Sequence, residues 1–237
     1  MSMQINAVGI SHTGKVRPSN EDCFLINKTI GLWIIADGMG GHDNGKIASK
    51  MACDIILQHV EQGRAIEQAI YGAHASILEY AIRVDTKRGM GTTLALAKLE
   101  ETYLDVWWVG DSRVYLQEGE ILKQLTHDHS KIQELLDLNL ISKDQAITHP
   151  HRHIITRSLG MSSSKPFGAD HKRIELTKQS KVLLCSDGLS NELNELDIQQ
   201  ILTNRKSLQE QAEQLIHLSN TKGGRDNTSV ILLEPSG

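Results

Sequence analysis

Leu32-Trp33-Ile34-Ile35-Ala36-Asp37-Gly38 is an apolar run that stops at an acid beside a glycine. The same construction recurs in Val106-Trp107-Trp108-Val109-Gly110-Asp111 and in Val182-Leu183-Leu184-Cys185-Ser186-Asp187-Gly188. Short apolar runs bounded by turn residues read as buried strands. A strand end is a rigid platform for a side chain, and a neighbouring glycine admits backbone or ligand at close range. Two further acidic spots lie in turn-like contexts, Asn20-Glu21-Asp22 and Gly223-Gly224-Arg225-Asp226-Asn227. One Asp-Gly alone is ordinarily a hairpin signal. Five acidic spots of this kind in one chain point beyond turns.

Working outward, Ile5 to Ile10 and Cys23 to Ile26 read as strands ahead of the first run. Behind it, Ile47, Met51, Ile55 and then Ile66, Ile70, Ala73, Ile77, Ala81 recur at helical spacing, which predicts two amphipathic helices separated near Gly63. Thr92 to Lys98, Tyr103 to Val109, Arg113 to Leu116 and Ile121 to Leu125 read as strands joined by turns, an antiparallel meander. Trp107 and Trp108 then face opposite ways, one into the core and the other toward a helix or solvent. Residues 126–164 carry short helical patterns broken by His, Pro and Ser, and read as an irregular flap. Beyond it come a strand at Val182 to Cys185, helices near Asp197 to Leu202 and Leu208 to Leu218, and a last strand at Ser229 to Leu233. Strands grouped with strands and helices with helices indicate an α+β protein rather than a parallel βαβ sheet.

With 237 residues, 39% hydrophobic and 23% charged, the chain can bury a sizeable core, so general disorder is excluded and a single domain over 1–237 is the expectation. A net charge of −4 without a basic block argues against a nucleic-acid or polybasic membrane footprint. No run approaches the roughly 18 apolar residues of a spanning helix and the N-terminus lacks a signal-peptide pattern, so a soluble, cytoplasmic protein is expected. Cys23, Cys53 and Cys185 are odd in number and lack CxxC spacing, which fits reduced thiols rather than a disulfide framework or zinc site. The residues six positions beyond them are Thr29, His59 and Asn191, so a cysteine-dependent phosphatase with its arginine at that spacing is excluded. Cys185, inside an apolar strand, reads as core.

Gly40 to Lys46 imitates the first part of a phosphate-binding P-loop, but Ile47 stands where a Ser or Thr must hold magnesium, and the remaining strands read as hairpins. His42 in that loop reads as structural. His127, His129, His149, His151 and His153 read as solvated loop histidines of the flap, not a metal site.

Carboxylates gathered in a small space either take up protons or recruit a divalent cation. Oxygen ligands without His or Cys spacing select Mg²⁺ or Mn²⁺. Two such ions about 4 Å apart can activate water and stabilise in-line displacement at phosphorus. Distance along the chain leaves open whether these acids meet.

The motifs Arg17-Pro18-Ser19-Asn20-Glu21-Asp22, Ala36-Asp37-Gly38-Met39-Gly40-Gly41-His42, Gly89-Met90-Gly91-Thr92-Thr93, Val109-Gly110-Asp111-Ser112-Arg113, Leu125-Thr126-His127-Asp128-His129-Ser130, Cys185-Ser186-Asp187-Gly188 and Gly224-Arg225-Asp226-Asn227 follow in order. Together they resemble the bacterial branch of the metal-dependent 2C-type protein serine/threonine phosphatases, over about Gly9 to Leu233. The resemblance implies two central antiparallel β-sheets sandwiched between layers of helices, with metals in a cleft at one end. It implies that Asp37 bridges two Mn²⁺ or Mg²⁺ ions, that the Gly38 carbonyl and Glu21 support the second, and that Asp187 and Asp226 complete the first. Asp111, with Asp187, matches the position of a third, weaker ion.

Arg17 would fork onto the substrate phosphate, while Asp22 and Asn227 would stand behind the ligands and orient them or water. The implied activity is removal of phosphate from Ser or Thr of phosphorylated proteins, opposing a Ser/Thr kinase in signalling. Met39 and Lys46 depart from the pattern, the first where some members carry a histidine and the second where Glu is common. The other reading is a non-catalytic relative that keeps the fold and binds partners; such a protein should have lost acids that are all present here.

Overall fold

The three apolar runs form strands buried along their length. The computed structural model describes residues 3–40, 43–84, 86, 89–162 and 166–236; His42 lies outside them. The strands are β1 (Ile5–His12), β2 (Asp22–Asn27), β3 (Leu32–Met39), β4 (Gly91–Thr92), β5 (Leu94–Glu100), β6 (Tyr103–Val109), β7 (Arg113–Glu118), β8 (Ile121–Gln124), β9 (Asp170–Glu175), β10 (Lys181–Cys185) and β11 (Thr228–Pro235). The helices are α1 (Asn44–Glu61), α2 (Ile66–Arg83), α3 (Lys131–Asp137), α4 (Lys143–Ile147), α5 (Asp187–Ser190), α6 (Glu195–Thr203) and α7 (Leu208–Lys222).

A five-stranded sheet runs β1-β11-β10-β7-β8, and a six-stranded one runs β2-β3-β5-β6-β9 with β4 paired to β3. Each described strand pairing is antiparallel. Three apolar layers hold the fold together. Alternate residues of β3, β5 and β6, such as Trp33, Ile35, Ala95 and Trp108, meet Val182, Leu184 and Ile231 between the sheets. Their opposite faces, including Leu32, Ile34 and Trp107, pack on Ala52, Ile56, Ile70 and Ile77 of α1 and α2. On the far side, Leu183, Val230 and Leu232 pack on Ile198, Leu215 and Ile216. The result is the expected sandwich of two sheets between helices. Period-two alternation explains the tryptophan pair: Trp108 points between the sheets and Trp107 toward the helices.

The expected meander is not one sheet. β5 and β6 pair in the six-stranded sheet and β7 and β8 in the five-stranded one. The chain changes sheets at Gly110-Asp111-Ser112, where Gly110 takes φ +103, a conformation that costs glycine little. The run Thr92 to Lys98 is also interrupted at Thr93, whose N–H donates to the Asp37 carbonyl at 2.9 Å. β9 was not expected: Asp170-His171-Lys172-Arg173-Ile174-Glu175 shows charges because it is an edge strand, and Ile174 is the residue it packs against the inter-sheet core. Among the described residues of 126–164 the helices are α3 and α4; the Ser130–Ile155 bridge ties the two limbs, and the Thr92–Leu159 bridge ties the returning limb to β4.

Candidate metal and phosphate site

Antiparallel pairing brings five distant pieces of chain to one end of the sandwich. β2 begins where β3 ends, with Asp22 opposite Asp37. His12 at the end of β1 lies opposite Thr228 at the start of β11, so the loops ending at Glu21 and at Asn227 adjoin. Cys185 at the end of β10 pairs with Arg113 at the start of β7 and with Val230, so Asp187 and Asp111 emerge at that same end.

Local hydrogen bonds fix each piece. The Asp37 N–H donates to Thr93 Oγ1 at 3.0 Å and its carbonyl accepts from Thr92 Oγ1 at 2.9 Å. Thr93 and Ser112 share a buried hydroxyl contact of 2.7 Å, tying the β3 side to the crossover that carries Asp111. Asn227 works as a clasp: Oδ1 accepts from the Glu21 N–H at 2.8 Å, while Nδ2 donates to the Thr13 and Ser19 carbonyls at 2.8 and 2.9 Å. Asp226 Oδ1 accepts from the Asn227 N–H at 2.8 Å and its other oxygen takes Arg17 at 2.6 Å. Ser49 of α1 donates to the Glu21 carbonyl at 2.6 Å. The space beside Gly45 on the same helix is filled by Glu21 Oε2 and the Gly38 carbonyl, so neither glycine leaves room for a side chain.

The electrostatics are those of crowded buried acids. Burial first, then the charges of Asp22, Asp187, Asp111 and Asp226, push the Asp37 carboxyl well above the usual range. Asp111 is raised by burial and by Asp187 and Asp128, against a lowering by Arg113. Asp187 is raised by burial and Asp226, against a lowering by hydrogen bonding with Asp37, and Asn191 donates to its Oδ2 at 2.9 Å. Asp22 is pushed up to about 7, chiefly by burial, although the Ser186 and Ser229 hydroxyls donate to its Oδ2 at 2.8 and 2.7 Å.

Asp22 Oδ1, Asp111 Oδ1 and Asp187 Oδ1 are buried without a hydrogen-bond partner. Orphaned oxygens on a group of neighbouring buried acids, with no sulfur or imidazole among them, fit a hard divalent cation. The acids are neighbours rather than a closed cage: among the described residues no group of three or more Asp, Glu, His or Cys is drawn around a common point.

All nine residues singled out from the sequence thus lie in or directly behind this cluster. Sequence reading missed four more. Thr93 and Ser112 hold the two strand ends together, and nothing about a Thr or Ser in isolation signals that. Arg113, half-buried, forks onto the buried Asp128, with Nη2 to Oδ2 at 2.7 Å and Nε to Oδ1 at 3.1 Å, and this pair backs Asp111. His129 is not solvated, contrary to expectation: it is buried, because the Gly110 backbone binds it on one side and Arg157 and Asp170 on the other. His153 is exposed as expected. A cavity of about 680 Å³ lies beside the cluster rather than on it, lined among others by Tyr71, His74, Asp128, His129, Arg157 and Phe167.

The chain is similar to proteins of known family. The family described as protein phosphatase 2C matches residues 8–223, a stretch that ends just before Asp226 and Asn227. The serine/threonine phosphatase stp of Listeria innocua is 35% identical over 234 residues, covering 93% of this chain and 92% of that protein. The serine/threonine phosphatase Stp1 of Staphylococcus aureus superimposes with a TM-score of 0.90 at 29% identity, covering 100% of this chain and 97% of that one. The catalytic domain of the serine/threonine protein phosphatase PstP, solved in complex with 2 manganese ions, does so with a TM-score of 0.87 at 28% identity over 98% of this chain and 99% of that one.

Proposed function

Because this chain belongs to the protein phosphatase 2C family, we infer that it is a metal-dependent protein serine/threonine phosphatase and that the acidic end of the sandwich is its active site. The observation that carries the site assignment is the set of orphaned oxygens on buried acids beside a salt-bridged arginine. Glu21, Asp37, the Gly38 carbonyl, Asp187 and Asp226 would hold two Mn²⁺ or Mg²⁺ ions, with Asp111 and Asp187 reaching a third, weaker one. Bound there, such ions supply a water of lowered pKa and Lewis-acid stabilisation of phosphoryl charge.

The chain's own part is positioning. Arg17, half-exposed and oriented by Asp226, presents a planar fork at the mouth, suited to two oxygens of a phosphate monoester. Asn227 fixes the Glu21 backbone against the 13–19 loop, and Asp22, gripped by two serine hydroxyls, keeps β2 in register with the Asp37 strand end. The substrate is then phosphoserine or phosphothreonine in a protein, the product of a Ser/Thr kinase, in keeping with a signalling role in the cytoplasm. The chain acts as one catalytic domain, and residues 126–164 serve as a flap at its mouth.

Phosphate release from a phosphothreonine peptide tests this. Activity should require Mn²⁺ or Mg²⁺, vanish with EDTA and return on adding metal. Release that survives chelation, or no release from any phosphopeptide with metal present, would overturn the assignment and favour a non-catalytic binding module.

A further inference from the structure

His129 holds the peptide at Gly110 with two bonds. Its ring Nδ1 accepts from the Gly110 N–H at 3.0 Å, and its own backbone N–H donates to the Gly110 carbonyl at 2.8 Å. Gly110 is the residue at φ +103 where the chain changes sheets, and the next residue is Asp111. Glycine is the residue with the greatest backbone freedom, so a turn built on it needs outside fixation if the following side chain is to keep one direction. That need is sharpest for Asp111, whose buried Oδ1 has no partner to hold it.

The ring is itself fixed from behind. Because Nδ1 accepts, the proton sits on Nε2, which faces Asp170 Oδ2 at 3.4 Å. The Arg157 guanidinium, a donor that also lies beside Nε2, gives its hydrogen bond to Asp170 Oδ1 at 2.8 Å and so holds the carboxylate that Nε2 faces. Burial and the Arg157 charge both lower the ring's pKa, consistent with the neutral tautomer that Nδ1 requires. The Thr156 N–H donates to the His129 carbonyl at 2.8 Å, so the returning limb of the 126–164 segment braces this residue.

We propose that His129 is a positioning residue for Asp111: through the Gly110 peptide it sets the direction of that carboxylate, and so the affinity of the divalent ion Asp111 helps to hold. The proposal rests on the reading of Asp111 as a metal ligand. It also gives the 126–164 segment a role in metal affinity, since Thr156, which holds the His129 backbone carbonyl, and Arg157, which holds the Asp170 carboxylate that the ring faces, belong to it.

The two ring nitrogens can be separated by substitution. Asn places an amide oxygen near the position of Nδ1 and keeps an acceptor for the Gly110 N–H; Gln extends its amide toward Asp170 and leaves that N–H unpaired; Ala removes both. Mn²⁺ binding to the full chain is measured by calorimetry and by electron paramagnetic resonance of the free ion, with near-UV circular dichroism to establish that each variant is folded. The Asp111-dependent component is defined as the part of the isotherm that Asp111→Asn removes. His129→Gln and His129→Ala should weaken that component about 10- to 100-fold, the range found when a group behind a metal ligand is lost. His129→Asn should recover most of it, and the remaining Mn²⁺ events should stay within about twofold in all three.

Equal loss in the Asn and Gln variants, or wild-type binding in the Gln variant, overturns the positioning role while leaving the phosphatase reading intact. If Asp111→Asn removes no component, the assignment of Asp111 falls and this proposal with it.

Discussion

Gly45→Ala sets two effects of known size against each other. Gly45 lies in the first turn of α1, where alanine is intrinsically better by about 1 kcal/mol. A methyl group there, however, would stand 2.8 and 2.9 Å from the Gly38 carbonyl carbon and oxygen and would coincide with Glu21 Oε2. Contact with backbone cannot be relieved by a rotamer change, and overpacking of this kind costs about 1–3 kcal/mol. The helix gain is therefore cancelled or exceeded, and the net effect lies between zero and a loss of about 2 kcal/mol, a fall in Tm of up to several degrees for a chain of this size. The larger consequence is at the site. The methyl group must expel the Glu21 carboxylate from its place beside the Gly38 carbonyl, so apparent Mn²⁺ affinity should fall by about an order of magnitude or more. The assays are urea denaturation and phosphopeptide hydrolysis across a Mn²⁺ titration. If Gly45→Ala is more stable than wild type and its Mn²⁺ dependence is unchanged, then helix propensity decides this position, and the argument that packing at Gly38 and Gly45 holds Glu21 in place is wrong.

Asp37→Asn and Asp187→Asn should each remove nearly all turnover while making the chelator-treated protein more stable at pH 8. Both carboxyls are raised in the fold, so each contributes stability fully below an unfolded pKa of about 4 and loses it as pH climbs through the folded value; metal-free wild type should weaken from pH 5 to pH 8 in thermal melts, and the variants should weaken less. Arg17→Lys should raise KM about 10-fold with a smaller change in kcat, since the charge stays and the fork is lost; a fall in kcat at constant KM would contradict that role. Arg113→Met leaves the buried Asp128 carboxylate with Gln124 Nε2 as its remaining side-chain donor and should cost about 3 kcal/mol in urea unfolding, with Asp128→Leu in the same chain recovering much of it.

The sandwich was legible because strong signals sit at its centre. The runs ending at Asp37, Asp111 and Asp187 are continuous hydrophobic strands buried on both faces, and the spacing of Ile66, Ile70, Ala73 and Ile77 marks the buried stripe of α2. What failed to show was pairing. Strand partners are chosen by packing across the whole chain, so four successive strand signals looked like one meander although the turn at Gly110 divides them between sheets. β9 stayed hidden because five of its six residues are polar. For the site, residue type was readable and convergence was not: the register that sets Asp22 opposite Asp37, and the clasp of Asn227, exist only after folding. His129 was misjudged for the same reason, since its burial depends on partners at positions 110, 157 and 170.

The division of the acids between the sheets bears on why the crossover matters. Glu21 and Asp37 belong to strand ends of the six-stranded sheet, whereas Asp187 and Asp226 adjoin strands of the five-stranded one. A site assembled across two layers is accurate only if the layers keep a fixed offset, and the inter-sheet core of Trp33, Trp108, Leu184 and Ile231 cannot supply that alone, because apolar contact is non-directional. Directional bonds at the acidic end do supply it. Ser186 and Ser229 of one sheet reach Asp22 of the other, and Ser112 after the crossover meets Thr93 before β5. These hydroxyls are buried and perform no chemistry of their own, yet each spans the gap between layers within a few residues of a proposed ligand. The serines and threonines of this end are therefore where the mutual repulsion of the acids is resisted, and the apolar core sets only the distance over which they work.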